Sequence, residues 1–186
     1  MHDLSPLTAL GAAAPRSDTI GPVTLREEPD RALASVAART DQATVCQAAL
    51  ARFLGVAAPG IAQHVSGADL SAFWIGPASW MIEAPNDRHP DLAGKAKAAL
   101  GDAASVTDQS GAWVRLDMTG DRVVQVMERL CNLDMGIMPP GKARRTVIDH
   151  LGCYVIRHAQ GVTIYGPRSG AKSLHHAVIT AMHSAL

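Results

Sequence analysis

The chain has 186 residues, of which 47% are apolar, and its 17 basic side chains balance its 17 acidic ones. This size fits one domain or two small lobes with a buried core. Because the formal charge is zero, no overall electrostatic field favours nucleic acid or an anionic membrane as a partner.

Localisation and redox state follow from two further features of the sequence. No apolar run approaches the roughly 18 residues that span a bilayer, and the start of the chain lacks the basic segment of a secretory signal. The three cysteines are odd in number and far apart, which is typical of reduced thiols rather than of a disulfide framework. We therefore expect a cytoplasmic protein without membrane contact.

The first part of the chain predicts an arm, a strand and a helix. Residues 1–30 are rich in Ala, Pro, Ser and Gly, so we expect an N-terminal arm there that is mobile unless a partner holds it. The alternation in "ALASVAAR" predicts a strand. A helix capped by Thr40 or Asp41 then runs to about Leu54, and Gly55 ends it. Its apolar face comprises Cys46, Ala49, Leu50 and Phe53.

The central part predicts a hairpin, a helix and a strand that runs directly into another helix. The stretch "LSAFWIGPASWMIEAP" contains two strand-like runs around a Gly-Pro turn. A helix is expected from Pro90 to Leu100. The strand "WVRLDMTG" follows, and the next helix begins at Thr119 or Asp121, with Val123, Val126, Met127 and Leu130 on its apolar face.

The last part predicts three strands and a helix. The strands are "RRTVIDHL", "CYVIRHA" and "VTIYG", with turns at Gly152 and at Gln160-Gly161, and the helix starts near Ser169. Because strand, helix, strands, helix occurs twice, and "FWIGPASW" is similar to "TIYGPRSG", we predict two pseudo-repeated lobes at about 31–105 and 106–186 of one domain, 31–186. The expected fold is α+β, with antiparallel sheets, helices packed on one face, and split-βαβ-like lobes.

The sequence contains no recognisable motif for a metal or phosphate site. Neither G-x-G-x-x-G nor G-x-x-x-x-G-K-[ST] occurs in the sequence, so no phosphate-binding loop is predicted. His175, His176 and His183 lack the i, i+4 spacing that places two imidazoles on one ion, and surface histidines are the favoured interpretation. A metal site formed by His150, Cys153 and His158 is disfavoured, because residues 150 and 153 of an extended chain point to opposite faces.

Two acidic residues near the central strand, Asp108 and Asp117, are candidates for catalysis. Ser110 has no nearby histidine and no strand-turn-helix context, so Asp108 and Ser110 are interpreted as a turn held by local hydrogen bonds. Asp117 lies within a strand and is expected to face solvent or to pair with Arg115 on the same face or with Arg144 across the sheet. Both positions are therefore predicted to be structural.

Two features indicate a surface for a partner. Between Lys142 and Lys172 the sequence has six basic residues and one acid. This bias fits a solvated face, a surface for an acidic partner, or a binding surface for an anionic cofactor carried by another chain. Two tryptophans in one hairpin form either core or an interface anchor; Trp74 is favoured for the interface and one of the pair for the core. The candidate interface residues are Trp74, Trp80, Arg144, Arg145 and Arg168.

Five segments together carry a resemblance to a known family. The segments "FWIGPASWMI", "VTDQSGAWVRLDMTG", "RLCNLDM", "RRTVIDH" and "YGPRSGAKSLHHAV" resemble, in this order and spacing, the gamma subunit of bacterial heterotetrameric sarcosine oxidase. The predicted strand-to-helix segment "DQSGAWVRLDMTGDRVVQVME" is also similar to the folate-binding domain of the glycine-cleavage T-protein. The gamma subunit is distantly related to the fold of that protein.

The resemblance implies an accessory, non-catalytic subunit. The complex oxidises sarcosine to glycine and forms hydrogen peroxide with formaldehyde or methylenetetrahydrofolate. FAD, FMN, NAD and tetrahydrofolate belong to other subunits, so the resemblance gives this chain no catalytic, cofactor-binding or metal-binding residue. The partners implied are the alpha, beta and delta subunits.

Two other functions stay open at this point. One is a free-standing folate-binding or aminomethyl-transfer protein of the T-protein type, although the chain is about half the length of such an enzyme and lacks an Asn-Gly-Gly followed by paired acids. The other is an unrelated binding module, which rests on the basic stretch and the two tryptophans alone.

Overall fold

The computed structural model describes residues 5–186, which form two compact units. The first unit contains the described residues up to Pro29, then Ala112–Pro140 and Arg144–Leu186; the second contains Asp30–Gly111 and Gly141–Ala143. Each unit has one antiparallel sheet and two α-helices. The predicted α+β class is confirmed.

The elements follow one another in this order. The first half contains β1 (Ser17–Ile20), β2 (Val23–Glu27), β3 (Arg31–Ala38), α1 (Ala43–Leu54), β4 (His64–Ser66), β5 (Ser71–Gly76), β6 (Ser79–Pro85), α2 (Leu92–Leu100) and β7 (Ala104–Asp108). The second half contains β8 (Trp113–Gly120), α3 (Val123–Leu130), β9 (Ala143–Ile148), β10 (Leu151–Arg157), β11 (Gly161–Pro167) and α4 (Ala171–Ala185).

The sheet of the second unit has the order β4-β5-β6-β3-β7. Because β6 is antiparallel to both β3 and β5, the strands β3 and β5 run in the same direction and α1 lies in the connection between them. This is a split βαβ unit. The helices α1 and α2 pack on the face that carries Ala34 and Val36, with Cys46, Leu50 and Ala96 in the same buried cluster.

The sheet of the first unit has the order β1-β2-β8-β11-β10-β9. The series β8, α3, β9, β10, β11, α4 repeats the series β3, α1, β4, β5, β6, α2, and each series has the same strand order in its sheet. In the second unit β7 lies beside β3; in the first unit the corresponding place beside β8 is taken by β2. The N-terminal segment therefore supplies the strand beside β8.

The predicted arm at 1–30 is wrong for residues 17–27. Val23 and Leu25 are at most 1% exposed and belong to the core of the first unit, and Leu25 pairs with Met118 of β8. The low-complexity composition of the whole segment hid the period-two alternation in "VTLRE", which is typical of a half-buried strand. Residues 1–4 of the predicted arm lie outside the described part of the chain.

Other boundaries differ from the prediction for local backbone reasons. Asp41 has a positive φ of 62° and lies in a turn, so α1 begins at Ala43 with Gln42 as its N-cap and without a side-chain cap. Gly55 adopts the left-handed conformation and ends α1 as predicted. Gly152 lies inside β10; the turn before it is formed by Asp149 and His150, which both have positive φ.

The division of the chain also differs from the predicted lobes. The strand β7 belongs to the second unit because it pairs with β3, which moves the boundary from 105 to Gly111. The two Gly-Pro motifs lie at different places, since Gly76 ends β5 whereas Gly166 lies in β11. Because β11 corresponds to β6 in the repeated series, the Gly-Pro similarity does not mark equivalent positions.

Candidate functional site

An arginine–aspartate pair lies on β8 of the first unit. Arg115 and Asp117 are two residues apart on the strand, so their side chains lie on the same face of the sheet. Arg115 Nε and Nη2 donate to Asp117 Oδ1 and Oδ2 at 2.9 and 2.8 Å. The two side chains are 14% and 25% exposed, so solvent screens this bidentate pair less than a surface pair. Of the three alternatives for Asp117, namely solvent, Arg115 or Arg144, the structure shows the pairing with Arg115.

Two side chains beyond β8 extend this pair into a network. Thr163 of β11 lies directly opposite Asp117, and its Oγ1 donates to Asp117 Oδ1 at 2.6 Å. Thr163 Oγ1 is also 2.9 Å from Nε2 of His158. Since a hydroxyl has only one proton to donate, Thr163 accepts from His158, and the network assigns the proton of the neutral imidazole to Nε2.

The electrostatics of the network favour a neutral histidine. Burial lowers the pKa of His158, and the positive charges of Arg115 and Arg157 act in the same direction, whereas Asp117 opposes them. An imidazole taken out of water loses hydration of its charged form, which explains the dominant effect. The site therefore presents an uncharged hydrogen-bonding ring at neutral pH.

Two cavities adjoin the network at the end of β8. The smaller, of about 240 Å³, is lined by Arg115, Asp117, Thr119, His158, Gln160, Gly161, Val162 and Thr163. The larger, of about 520 Å³, shares Thr119 and Gln160 and extends over Gly120 and Asp121 to Arg157. Chemically, the network offers hydrogen bonds to a small polar group. Both oxygens of Asp117 are engaged by Arg115, so the site has the features of a positioning network rather than of an activated nucleophile.

The segment around Ser110 is structural, as predicted. Asp108 Oδ1 accepts from the Ser110 amide at 2.9 Å and from its hydroxyl at 2.7 Å, and these bonds lower the pKa of Asp108. Ser110 Oγ in turn accepts from the Leu33 amide at 3.0 Å. The hydroxyl thus joins the end of β7 to β3 within the second unit.

The histidines of α4 are not all on the surface. His175 is only 8% exposed, and its Nε2 lies 2.8 Å from Asp18 Oδ2; Arg16 bonds to the same carboxylate at 2.9 Å. This contact attaches α4 to the N-terminal strand β1, which sequence reasoning could not anticipate. Within residues 5–186, no cluster of three metal-ligating side chains is present.

The predicted interface residues fall into different environments. Trp80 is buried in the core of the second unit and donates from Nε1 to the Pro59 carbonyl at 2.8 Å, whereas Trp74, its cross-strand neighbour, is half-buried. Arg144 and Arg145 are exposed on β9. Arg168 is exposed after β11 and donates to the Leu7 carbonyl at 3.1 Å. Arg144 and Arg145 are adjacent on β9, whereas Trp74, Trp80 and Arg168 lie on other elements.

The parts of the network contributed by Thr163 and His158 were missed by sequence reasoning. The i, i+2 spacing of Arg115 and Asp117 was readable, because it depends on one strand. The contact with Thr163 depends on the pairing of β8 with β11, whose paired residues Asp117 and Thr163 are 46 positions apart in the chain. The alternation in "VTIYG" predicted the strand β11, but it did not predict that this strand pairs with β8.

Comparison with solved structures places this fold among known proteins. A chain of heterotetrameric sarcosine oxidase from Corynebacterium sp. U-96, in complex with pyrrole 2-carboxylate, matches with a TM-score of 0.77 and 25% identity, over 87% of this chain and 84% of that one. This chain resembles a subunit of heterotetrameric sarcosine oxidase. The resemblance to sarcosine oxidase predicted from the five segments is confirmed.

A second solved structure shares the fold at lower similarity. The aminomethyltransferase T of the glycine cleavage system from Bartonella henselae matches with a TM-score of 0.68 and 15% identity, over 85% of this chain but only 45% of that one. The predicted distant kinship with the T-protein fold is confirmed as a likeness of fold. No protein-family model and no curated protein sequence matches the chain. None of the helices within residues 5–186 has the length and apolar character needed to span a bilayer.

Proposed function

We propose that this chain is the gamma-type accessory subunit of a heterotetrameric sarcosine oxidase, assembled with alpha, beta and delta subunits. The observation that carries the proposal is the likeness to a chain of that assembly over 87% of this chain and 84% of the other. Because both fractions are high, the two chains have similar lengths and the likeness extends over most of each. The sequence resemblance to the gamma subunit agrees with it.

In this proposal the chain supports the oxidation of sarcosine to glycine without supplying the reacting groups. FAD, FMN, NAD and tetrahydrofolate are carried by the partner subunits, where oxidation yields hydrogen peroxide and formaldehyde or methylenetetrahydrofolate. The polar network of Arg115, Asp117, His158 and Thr163 has the hydrogen bonds of a rigid frame. Its part is to hold the sheet of the first unit in one geometry.

The proposal is tested by purifying the tagged chain from its own host and analysing what accompanies it. We expect larger subunits with the visible absorption of flavin and sarcosine-dependent formation of hydrogen peroxide. A matched preparation from cells that lack this chain should give less of the assembled complex. Full assembly and activity without the chain would contradict an accessory role.

The T-protein type of function is the alternative, supported by the shared fold. It predicts that the chain alone binds tetrahydrofolate and that no flavoprotein accompanies it. Calorimetric titration of the isolated chain with tetrahydrofolate distinguishes the two functions. Binding by the isolated chain together with the absence of flavin-bearing partners would replace the subunit proposal.

A further inference from the structure

The outer strand β9 has an unusual set of exposed side chains. It is the last strand in the order of the six-stranded sheet, and Arg144, Arg145 and Val147 are exposed on it, whereas Thr146 and Ile148 are buried. Val147 is 60% exposed. An exposed sheet edge is a template for pairing with another chain, unless charged residues on it serve only to prevent such pairing.

The backbone of β9 presents donors along this edge. The Ala143 amide donates to the Ala62 carbonyl at 3.0 Å, so it points away from β10. Amides of a strand in an antiparallel ladder alternate in direction. The amides of Arg145 and Val147 therefore also point away from β10, and their side chains share one face of the strand.

Arg145 is exposed, and its guanidinium lies over an aromatic ring of the neighbouring strand β10. Its guanidinium carbon lies 5.9 Å from the centre of the Tyr154 ring, and that ring is 5.5 Å from the ring of Trp113. A Cβ atom at Gly152 would lie 3.5 Å from Arg145 Nη2, which shows that the guanidinium rests close to the β10 backbone. A guanidinium that contacts an aromatic ring still has N–H donors to offer to a carboxylate.

The charge around this edge is also one-sided. Lys142, Arg144 and Arg145 lie on β9 or directly before it, and residues 142–148 contain no acid. Within the described residues no carboxylate forms an ion pair with Arg145. The surface is therefore complementary to a negatively charged partner. The alternation of Arg145 and Val147 matches a strand that presents a carboxylate and an apolar side chain two residues apart.

We propose that the β9 edge binds an extended acidic segment of a partner subunit, which adds to the sheet as a further strand. A carboxylate of that segment binds Arg145, and an apolar side chain two residues away packs on Val147. The backbone supplies affinity through the outward amides, and the two side chains supply specificity. This inference rests on the proposed function, because it names the surface through which the chain joins its complex.

The test uses the full chain and its co-purified partner subunits. Arg145→Glu should weaken assembly about tenfold or more, since it places like charges together. Val147→Pro removes an outward amide and the exposed valine side chain, and proline is tolerated on an edge strand. It should weaken assembly while circular dichroism and the melting temperature show an intact fold. Arg52→Glu, at an exposed position of α1, is the matched charge reversal and should leave assembly unchanged.

Hydrogen exchange provides a readout that a simple surface ion pair would not change. The amides of Arg145 and Val147 should exchange rapidly in the isolated chain and become protected in the complex. A synthetic peptide of alternating Glu and Val should protect the same amides in the isolated chain, and a peptide of alternating Lys and Val should not.

The outcomes separate this inference from the proposed function. Unchanged assembly of both β9 variants, or rapid exchange of the two amides in the complex, would overturn strand addition and leave the subunit proposal standing. Absence of the flavin-bearing partners from the wild-type preparation would overturn the subunit proposal itself. A dimer of the isolated chain that Val147→Pro dissociates would assign the edge to a second copy and overturn the acidic segment.

Discussion

Asp117 accepts hydrogen bonds from two neighbours, and its environment illustrates how a mid-strand acid is accommodated. Arg115 binds both carboxylate oxygens, and Thr163 relays a further bond to His158. Without such partners, a partly buried carboxylate would lose roughly several kcal/mol of favourable hydration free energy. The network therefore offsets part of the cost of placing a charge inside the sheet.

The lowered pKa of His158 predicts a pH-dependent stability. The unfolded chain, with an ordinary histidine pKa of about 6.5, binds a proton that the folded chain resists, so the free energy of unfolding falls as the pH drops below about 6.5. Urea denaturation between about pH 7.5 and about pH 5.5 should show this loss in the wild type and a smaller loss in His158→Gln.

The control for this experiment is His183→Gln, because His183 is exposed on α4. Its pH profile should follow the wild type. A His158→Gln profile that coincides with the wild type would show that His158 does not carry this part of the pH dependence.

At the scale of elements, β2 is the clearest difference between prediction and structure. Its alternating Val23 and Leu25 were readable as a strand, but the composition of the surrounding thirty residues favoured an arm. In the fold, β2 covers the edge of β8, which would otherwise be open. The edge of β8 exists only once β8 has paired with β11. The need for a strand at the position of β2 therefore follows from the assembled sheet and not from the local sequence.

The truncation Leu25→Ala should destabilise the chain by about 2–5 kcal/mol, since it leaves a cavity in a core where Leu25 is 1% exposed. Leu7→Ala is the matched control in the same N-terminal segment, where Leu7 is 56% exposed, and should cost less than about 0.5 kcal/mol. Urea denaturation measures both. Equal, small effects would mean that β2 is not part of the cooperative core.

The turn between β9 and β10 shows a second limit of sequence reasoning. Glycine is the residue expected at positive φ, so Gly152 was predicted to form the turn. The structure places positive φ at Asp149 and His150 instead. Gly152 is inside a strand, where its missing side chain leaves space beside Arg145.

Two glycine substitutions should therefore differ in effect. A Cβ atom at Gly161 would lie 2.1 Å from the Met118 carbonyl oxygen, so Gly161→Ala should force the β8–β11 ladder apart and cost about 1–3 kcal/mol or more. At Gly152 the nearest atom would be 3.5 Å away, in ordinary contact, so Gly152→Ala should cost less than about 0.5 kcal/mol. Thermal melts of both variants check this order, and a reversed order would contradict the close approach of β11 to β8.

At the scale of the whole molecule, the charge balance has a consequence of its own. The chain has a formal charge of zero and a sequence pI near 7.1, so electrostatic repulsion between copies is weakest at neutral pH. We expect the isolated chain to be least soluble near its pI and more soluble at about pH 9, as measured by light scattering at increasing concentration. Lowest solubility at about pH 9 would contradict this explanation.

The sequence by itself determined the types of most elements after residue 30, the α+β class and the resemblance to sarcosine oxidase. These follow from local information: period-two and period-3.6 patterns, Gly55 at the end of α1, and short segments in a fixed order. The same-face pairing of Arg115 and Asp117 was also local, because both lie on β8.

Only the tertiary structure decided which strands are neighbours. The place of β2 beside β8, the contact of Thr163 with Asp117, and the attachment of His175 to Asp18 join residues that are far apart in sequence. No periodic pattern encodes such pairings, because a strand's alternation specifies which face is buried but not which strand lies next to it. The order of strands is fixed by the combined burial of all faces and edges in the finished sheets.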